Sequence, residues 1–303
     1  MTGAVIIGAG GQDGRLLGEQ LEQAGASVVR LGRGDVDLLD RAPIDTLVRQ
    51  HQPREIYYLA AHHHSSEDTL GGDEAALFRT SLDVHVTGLV HFLEAIRTHS
   101  PATRLFYAAS SHVFGQSEQP LQNEQTPCNP TCVYGITKTA GLHCCRYYRS
   151  AHGLFAAAGI LYNHESPHRG PKFVSQKIIS AALAIAAGHQ ERLVLGDLCA
   201  RIDWGYAPDY VDAMRRILAL PQADDFVIAT GEQHSVQEFV EIAFAAVGMD
   251  WREHVVEDSG RITKQRRSLA GDASRLRTAT GWQPSVTFRR MVQLLIETGP
   301  HGG

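Results

Sequence analysis

The chain opens with a short apolar run followed by closely spaced glycines, and this feature restricts its fold more than any other. Residues 5–8 read VIIG, Gly8, Gly11 and Gly14 follow at intervals of three, and apolar residues continue at helical spacing to Gln23. A strand, a glycine loop and a helix in this order bring backbone N–H groups and the positive helix end to one point, where they bind a pyrophosphate. The segment therefore predicts a dinucleotide-binding unit.

Apolar runs alternate with helical patterns through the first half of the chain. Strands are predicted at residues 5–8, 27–31, 56–61, 104–109 and 155–161, and a helix at residues 80–97. Strands that alternate with helices form a parallel sheet covered on both faces, so we expect an α/β, Rossmann-type doubly wound sheet. Ligands of such sheets bind at the carboxyl ends of the strands.

The pattern becomes irregular after about residue 165. Helices are predicted at residues 173–187, 210–220, 236–247 and 288–297, and a short strand at 192–196. This spacing is typical of a smaller C-terminal α/β lobe that binds substrate. We therefore expect a cofactor domain at 1–165, to which segments of the C-terminal half return, and mainly a substrate lobe at 166–303.

Composition and charge narrow the class of protein. The 303 residues carry a net charge of −5 without a long run of one sign, so no nucleic-acid or membrane-surface partner is expected. The first residues lack the layout of a signal peptide, and no apolar run is long enough to span a bilayer. Five cysteines without paired CxxC units predict neither a metal site nor a disulfide framework. We expect a cytoplasmic protein.

The end of the second predicted strand bears on the choice of dinucleotide. NAD-binding proteins usually place a carboxylate there, whereas this chain has RLGRG, with Arg30 and Arg33. A guanidinium suits a 2′-phosphate, so NADP is favoured. Asp35 and Asp37 follow shortly after, and NAD therefore remains open.

Two further segments place proton-transfer groups near that cofactor. Ser110 follows the fourth strand in YAASSHVFG, and Tyr134 and Lys138 lie four residues apart at the start of a predicted helix, in YGITK. Residues at this spacing share one helix face, and an ammonium beside a phenol lowers the pKa of the phenol. The pattern predicts a tyrosine that acts as an acid or base, 24 residues after Ser110 at a strand end.

Several motifs together carry a resemblance to a known family. They are GGQDG at 10–14, YGITK at 134–138, LYNHESPHRG at 161–170, RIDWGYAPDYVDAM at 201–214 and GDASRLRTATGWQPSVTF at 271–288. The chain resembles the extended short-chain dehydrogenase/reductase superfamily over nearly its whole length. Within that superfamily it is most similar to the GDP-mannose 4,6-dehydratases.

The resemblance implies a role for each matching residue. The catalytic residues would be Ser110, His112, Tyr134 and Lys138. The NADP or NAD contacts would be Gly8, Gly11, Gln12, Asp13, Gly14, Arg33, Asp37, Leu38, Leu59, Ala60, Ala61, Tyr134, Lys138, Leu161, Asn163 and His164. The contacts to a nucleotide diphosphate sugar would be Ser111, Asn163, Glu165, Lys177, Arg201 and Arg261, with Glu165 equally suited to brace a loop. The family also implies a homodimer or a dimer of dimers.

The chain departs from this family in two places. His112 occupies the position of the glutamate that removes the C5 proton of the sugar, and neutral imidazole is itself a competent base near neutral pH. The segment after the second strand is compact and lacks an arginine-rich insertion. Both departures leave a 4-ketoreductase or 4-epimerase open beside the dehydratase. A dinucleotide-binding sensor without catalysis is a further alternative, although a sensor has no need of Ser110, Tyr134 and Lys138.

A run of three histidines, His62, His63 and His64, follows the third predicted strand. Adjacent residues of an extended segment point in alternate directions, so the three are unsuited to a single metal ion. They either line the sugar site or serve as structural hydrogen-bonding groups.

Overall fold

The computed structural model describes residues 3–63, 73–258 and 269–300. Its strands are β1 Ala4–Ile7, β2 Val28–Leu31, β3 Glu55–Tyr58, β4 Arg104–Ser110, β5 Leu121–Gln122, β6 Ala156–Leu161, β7 Asn163–Glu165, β8 Leu193–Leu195, β9 Arg201–Tyr206, β10 Asp225–Ile228, β11 Gln233–Ser235, β12 Val255–Glu257 and β13 Ala270–Gly271. Its α-helices are α1 Gln12–Gln23, α2 Arg41–His51, α3 Glu74–Leu82, α4 Gly88–His99, α5 Val133–His152, α6 Val174–Ala186, α7 Ala207–Ala219, α8 Val236–Ala246, α9 Ser274–Thr280 and α10 Phe288–Thr298.

A six-stranded parallel sheet forms the centre of the fold, in the order β10-β6-β4-β3-β1-β2. The predicted α/β doubly wound sheet is therefore confirmed. The strand order reverses around β1, and the carboxyl ends of β1 and β3 form the switch point at which such sheets bind ligands. Among the described strands, only β2 lies on the far side of β1, and the chain between β2 and α2 contains an isolated bridge from Arg33 to Val36.

Alternating side chains on the strands form two separate cores. Ile7 and Tyr58 point to the face covered by α2, α4 and α5, whereas Ile6 and Tyr57 point to the face covered by α1 and α7. All four side chains are buried, as expected for a parallel sheet with helices on both faces. Residues 207–228 thus return to the central sheet: β10 forms its edge, and α7 covers one of its faces.

The C-terminal half also builds a third core of its own. Helices α6, α8 and α10 pack around Trp204, which stands on the small sheet β11-β9-β7. Trp204 is 1% exposed and contacts the rings of Phe239 and Phe288. This smaller lobe places β7 and the start of α6 over the carboxyl ends of β4 and β6.

The predicted helix at 80–97 is longer than expected and irregular. A π-helical segment at Asp83–Thr87 joins α3 to α4, so the helical chain runs from Glu74 to His99. The wider turn buries His85 completely, against α5. Among the described helices, none is both long and apolar enough to cross a lipid bilayer.

Candidate active site

A cavity of about 1470 Å³ lies at the carboxyl ends of β1, β3, β4 and β6. All of the residues predicted to bind cofactor or to catalyse line its wall. They are Gly8, Gly11, Gln12, Asp13, Gly14, Arg33, Asp37, Leu38, Leu59, Ala60, Ala61, Ser110, His112, Tyr134, Lys138, Leu161, Asn163 and His164. The fold therefore brings together groups that are separated by up to 156 residues along the chain.

The glycine loop has both tightly packed and open positions. A Cβ on Gly8, whose φ is +90°, would lie 2.7 Å from the Ala60 nitrogen, and a Cβ on Gly14 would lie 2.5 Å from the Gly8 oxygen. By contrast, a Cβ on Gly10 would meet no described atom within 4 Å. Gly11 is the N-cap of α1 and has no side chain with which to cap the helix. The first N–H groups of α1 thus meet a space that suits an anionic group.

The two arginines near the end of β2 have different surroundings. Arg30 donates to both carboxylate oxygens of Glu22, at 3.1 and 2.9 Å, so its guanidinium is already paired. Arg33 is exposed on the cavity wall. The carboxylates of Asp35 and Asp37 accept hydrogen bonds from backbone N–H groups of their own loop. Arg33 is therefore the better-placed cation for a 2′-phosphate.

Ser110, Tyr134 and Lys138 meet where β4 ends against the first turns of α5. The Ser110 hydroxyl hydrogen-bonds with Tyr134, and Lys138 Nζ donates to the Ala108 oxygen at 2.7 Å. Burial lowers the pKa of Lys138 to about 7, and the Asp13 carboxylate acts against this shift. Burial raises the pKa of the Tyr134 phenol, while Arg169 and the bond with Ser110 lower it. The lysine thus changes charge near neutral pH beside a buried phenol.

Three imidazoles surround the Tyr134 ring. The ring centroids of His63, His85 and His112 lie 5.0, 5.3 and 5.5 Å from that of Tyr134. Burial lowers the pKa of His85 to about 2, and Lys138 adds to the effect, so His85 is neutral at physiological pH. Of the histidine run, His62 and His63 line the cavity, and His64 lies outside the described residues.

The glycine loop is hydrogen-bonded to LYNHESPHRG at 161–170, one of the motifs that carry the family resemblance. His164 Nε2 lies 2.9 Å from Asp13 Oδ1, and Gln12 donates to the His164 oxygen and accepts from the Ser166 hydroxyl. Burial alone would raise the pKa of Asp13, but the charge of His164 and the hydrogen bonds from His164 and Gln12 lower it overall. These contacts join the start of α1 to β7.

The predicted substrate contacts lie in several different places. Asn163 lines the cavity, whereas Glu165 is 1% exposed and accepts from Ser175 Oγ at 2.6 Å, which is the arrangement of a loop brace. Arg201 is an exposed residue at the start of β9, and it donates to the Gln233 oxygen on β11. Among the described residues, Ser111, Glu165, Lys177 and Arg201 are not part of the cavity wall, and Arg261 lies outside the described residues.

A cationic and aromatic group that the sequence argument missed lines the cavity opposite the glycine loop. Arg169 Cζ lies 3.6 Å from the centre of the Phe173 ring, and Arg169 Nε lies 3.4 Å from Glu165. Lys172 Nζ donates to the His63 oxygen at 2.9 Å. The segment LYNHESPHRG contained Arg169, but only the fold shows that it faces the cofactor side. No group of three or more potential metal ligands occurs in the described part of the chain.

The chain is similar to one group of known proteins. The family model described as GDP-mannose 4,6 dehydratase matches residues 34–295. GDP-mannose 4,6 dehydratase 1 of Arabidopsis thaliana is 39% identical over 86% of this chain and 72% of its own length. GDP-mannose 4,6 dehydratase of Homo sapiens is 32% identical over 97% of this chain and 90% of its own length.

A solved structure shows the same fold. RMD from Pseudomonas aeruginosa, complexed with NADPH, superimposes with a TM-score of 0.85 over 98% of both chains at 22% identity. The matched family model covers most of the chain, and the relatives exceed 30% identity over most of both lengths. The chain therefore belongs to the GDP-mannose 4,6-dehydratase family.

Proposed function

We propose that this protein is an NADP-dependent 4,6-dehydratase of a GDP-linked hexose, with GDP-mannose as its substrate. The observation that carries the proposal is the meeting of Ser110, Tyr134, Lys138 and His112 in the same cavity as the glycine loop. Membership of the dehydratase family supports both the reaction and the nucleotide. A pure binding protein would have no need of a buried lysine beside a buried phenol.

The residues present fit a dinucleotide cofactor. Gly10 leaves open space at the start of α1, where uncapped N–H groups would hold the pyrophosphate. Arg33 would bind the 2′-phosphate, and this favours NADP over NAD. Leu38 and Ala60 line the path between these two ends. When bound, the nicotinamide supplies hydride uptake from C4 of the sugar and hydride return to C6.

Tyr134 is the group that moves the proton of the sugar 4-hydroxyl. Its phenol has to be deprotonated to accept that proton, and Lys138 and the Ser110 hydroxyl stabilise the phenolate by charge and by hydrogen bonding. Lys138 is fixed for this purpose by its bond to the Ala108 oxygen. Because β4 and α5 are both packed into the core, the three groups are held in one geometry.

His112 is the base that takes the C5 proton after C4 has become a ketone. The 4-keto group acidifies this C–H bond, so an imidazole is basic enough to remove the proton. The same nitrogen can then return the proton to the departing 6-hydroxyl, which leaves as water. His112 thus does the work that a glutamate would do in the pattern this family implies.

The smaller lobe would bind the nucleotide diphosphate. Asn163, Arg169 and Lys172 reach the cavity from this lobe, and guanidinium groups suit phosphate oxygens through bidentate contacts. Lys177 and Arg201 would bind farther out, and the family resemblance assigns Arg261 to the same nucleotide diphosphate. Glu165 would brace the loop that carries Arg169.

The assembly and the domain division are part of the same proposal. Ile136 and Tyr147 expose 40% and 58% of their surface on one side of α5. We assign that surface, with the neighbouring helix at 80–97, to a homodimer, which would in turn form a dimer of dimers or remain a dimer. Residues 1–165 and the returning segments would form the cofactor domain of a cytoplasmic enzyme.

The test is to incubate the purified full-length protein and NADP with GDP-mannose and, in parallel, with UDP- and CDP-linked hexoses. We expect a product that has lost one water from GDP-mannose without any added reductant, as measured by mass spectrometry. The Tyr134→Phe variant should give no product. Lack of product from every sugar diphosphate with intact NADP binding would overturn the proposal.

A second function is favoured by one observation, the histidine at the position of the expected glutamate. A 4-ketoreductase needs only Ser110, Tyr134 and Lys138, and it would consume one NADPH for each 4-keto sugar reduced. Product that forms only with stoichiometric NADPH from a 4-keto sugar identifies the reductase. Inversion at C4 with no net change in cofactor identifies the epimerase.

A further inference from the structure

His112 stands where the starts of two helical segments meet. It belongs to the short 3-10 turn Ser111–Val113 after β4. Its backbone N–H donates to the Ser110 hydroxyl. Cys132 is the N-cap of α5, and its sulfur accepts the Gly135 N–H at 3.4 Å. His112 Nδ1 lies 3.5 Å from this same sulfur, within hydrogen-bonding distance for sulfur. A cysteine twenty residues away in sequence therefore contacts the ring of His112.

A second histidine beside Tyr134 differs from His112 in being fully buried and away from the cavity wall. His85 and His112 both lie perpendicular to the Tyr134 ring, each at an interplanar angle of 86°. The Nδ1 of His85 bonds Thr137 Oγ1, its Nε2 accepts the His62 N–H, and the residue is fully buried. Both nitrogens of His85 are thus used by the protein. His112 is only half-buried and lines the cavity, and its Nδ1 faces Cys132, so we assign its Nε2 side to the substrate.

We propose that Cys132 is a positioning residue that acts through His112. Its sulfur accepts the Nδ1–H of the imidazole and thereby keeps Nε2 unprotonated toward the sugar. The Gly135 N–H already points at this sulfur, so two donors converge on one acceptor at the start of a helix. A base whose second nitrogen is oriented by an acceptor is the usual arrangement of an activating histidine.

The role of this pair rests on the proposed dehydratase reaction. Nε2 takes the C5 proton, and the electron pair of the broken C–H bond moves into the enolate formed with the 4-keto oxygen. The enolate then expels the 6-hydroxyl, which receives the proton from Nε2 and departs as water. Nδ1 keeps its own proton throughout, because the sulfur holds it in place. Cys132 forms no bond to the substrate.

Substitution of Cys132 separates this role from that of a helix cap. Cys132→Ala removes both the cap and the acceptor for Nδ1–H, whereas Cys132→Ser supplies a hydroxyl that provides both. Cys199 is an exposed cysteine, and Cys199→Ser is therefore the matched control. Because the cap holds the helix of Tyr134 and Lys138, its loss alone would affect hydride transfer as well as proton transfer.

The first measurement needs no turnover. Nitrogen NMR of the full-length protein with labelled histidine rings, assigned with His112→Gln, reports which ring nitrogen carries the proton. We expect the Nδ1–H form in the unsubstituted protein and in Cys132→Ser, and the Nε2–H form in Cys132→Ala. An Nε2–H ring in the unsubstituted protein, or an unchanged ring in Cys132→Ala, overturns the proposal.

The second measurement follows the two chemical steps separately in deuterated buffer with NADP and GDP-mannose. C5 exchange is read by mass, and C4 oxidation by the absorbance of reduced nicotinamide in a single turnover. We expect Cys132→Ala to slow exchange roughly ten- to hundredfold while oxidation stays close to that of Cys132→Ser. An equal loss of both steps would reduce Cys132 to a helix cap and overturn its assignment.

The two proposals fail in different ways. If the unsubstituted protein neither oxidises nor exchanges GDP-mannose or the other sugar diphosphates, the proposed function is wrong, and the NMR result alone decides the role of Cys132. If it does both and Cys132→Ala exchanges at the normal rate, the proposed function stands and the role of Cys132 is wrong. In a His112→Gln background, Cys132→Ala should slow exchange no further.

Discussion

Lys138 is the residue at which stability and function conflict most clearly. The residue is 1% exposed, and burial lowers its pKa from 10.5 to about 7. Between these two pH values the unfolded chain binds a proton that the folded protein does not, so stability rises with pH across this window. The folded protein therefore tolerates the lysine best in its neutral form.

We expect Lys138→Met to be more stable than the unsubstituted protein at pH 7 and unable to oxidise the sugar. The stability advantage should shrink by about 3 kcal/mol between about pH 7 and about pH 9.5, since the folded lysine becomes neutral while the unfolded lysine stays charged. Urea unfolding of both proteins without cofactor at several pH values checks this. A difference that does not depend on pH would mean that Lys138 is charged in the folded protein across this range.

Arg33 carries the choice between the two dinucleotides. We expect Arg33→Ala to weaken NADP binding roughly ten- to hundredfold, because a charge-assisted contact with the 2′-phosphate is lost, and to leave NAD binding nearly unchanged. Titration calorimetry with both cofactors measures this. Arg30→Ala is the control, since Arg30 is already paired with Glu22 and should not discriminate between them. Equal weakening of NAD and NADP by Arg33→Ala would remove Arg33 from the 2′-phosphate site.

The residues whose roles could be predicted are those whose chemistry follows from the residues next to them in sequence. Tyr134 and Lys138 share a helix face four residues apart, so the spacing alone brought them together, whereas Ser110 was joined to them by the family resemblance. Cys132 and Arg169 could not be assigned in this way. Cys132 contacts His112 across twenty residues, and Arg169 acts on Asp13 from the other lobe, so both depend on tertiary packing.

At the scale of elements, the glycine loop combines two kinds of position that the sequence does not distinguish. We expect Gly14→Ala to destabilise the fold by about 1–3 kcal/mol, because the new Cβ would collide with the backbone of Gly8 and Ala9. Gly10→Ala should leave stability nearly unchanged, because its Cβ enters open space, and should weaken NADP binding about tenfold or more. Thermal unfolding and cofactor titration of both variants measure the two effects.

The opposite pattern would contradict the placement of the pyrophosphate. If Gly10→Ala bound NADP with normal affinity, the open space above the start of α1 would not be the site of the phosphates. If Gly14→Ala unfolded at the normal temperature, the close approach of α1 to the strand end would be relaxed in solution. The two substitutions add the same methyl group, so each serves as the control of the other.

The order of most elements followed from hydrophobic periodicity, but two features did not. The π-helical turn at Asp83–Thr87 keeps apolar residues at intervals that an ordinary helix also shows, so the sequence pattern does not distinguish the two. The turn is recognised only from the contacts of His85 with Thr137 on α5 and with His62 after β3. The position of β10 beside β6 could not be predicted from the sequence either. Its four residues, Asp225–Ile228, are too short to be distinguished from a loop without knowledge of the sheet edge they complete.

The whole molecule differs from two domains joined in series. The second core contains α1 from the start of the chain and α7, β10 and Trp282 from its second half. The second core therefore crosses the predicted boundary near residue 165. The sequence pattern shows that the spacing of elements changes near this residue. It does not show which later segments return to the central sheet, because that depends on which apolar faces of the sheet are still uncovered.

A chain cut at residue 165 should consequently fail to fold. It would lack Tyr210, Met214, Ile217 and Ile228, which are fully buried against one face of the sheet. Each contributes about 1.5–3 kcal/mol by burial, and their sum is comparable to the whole stability of a typical domain. We expect fragment 1–165 to aggregate on expression and to bind no NADP.

A matched chimera makes this test specific. Residues 1–165 joined by a flexible linker to residues 207–228 regain α7 and β10 without the smaller lobe, so we expect more soluble protein and measurable NADP binding from this chimera than from fragment 1–165. Co-expression of 1–165 with 166–303 should restore the complex fully. Cooperative unfolding and NADP binding by fragment 1–165 alone would show that its sheet is stable without a cover on this face, and that the smaller lobe is an independent addition.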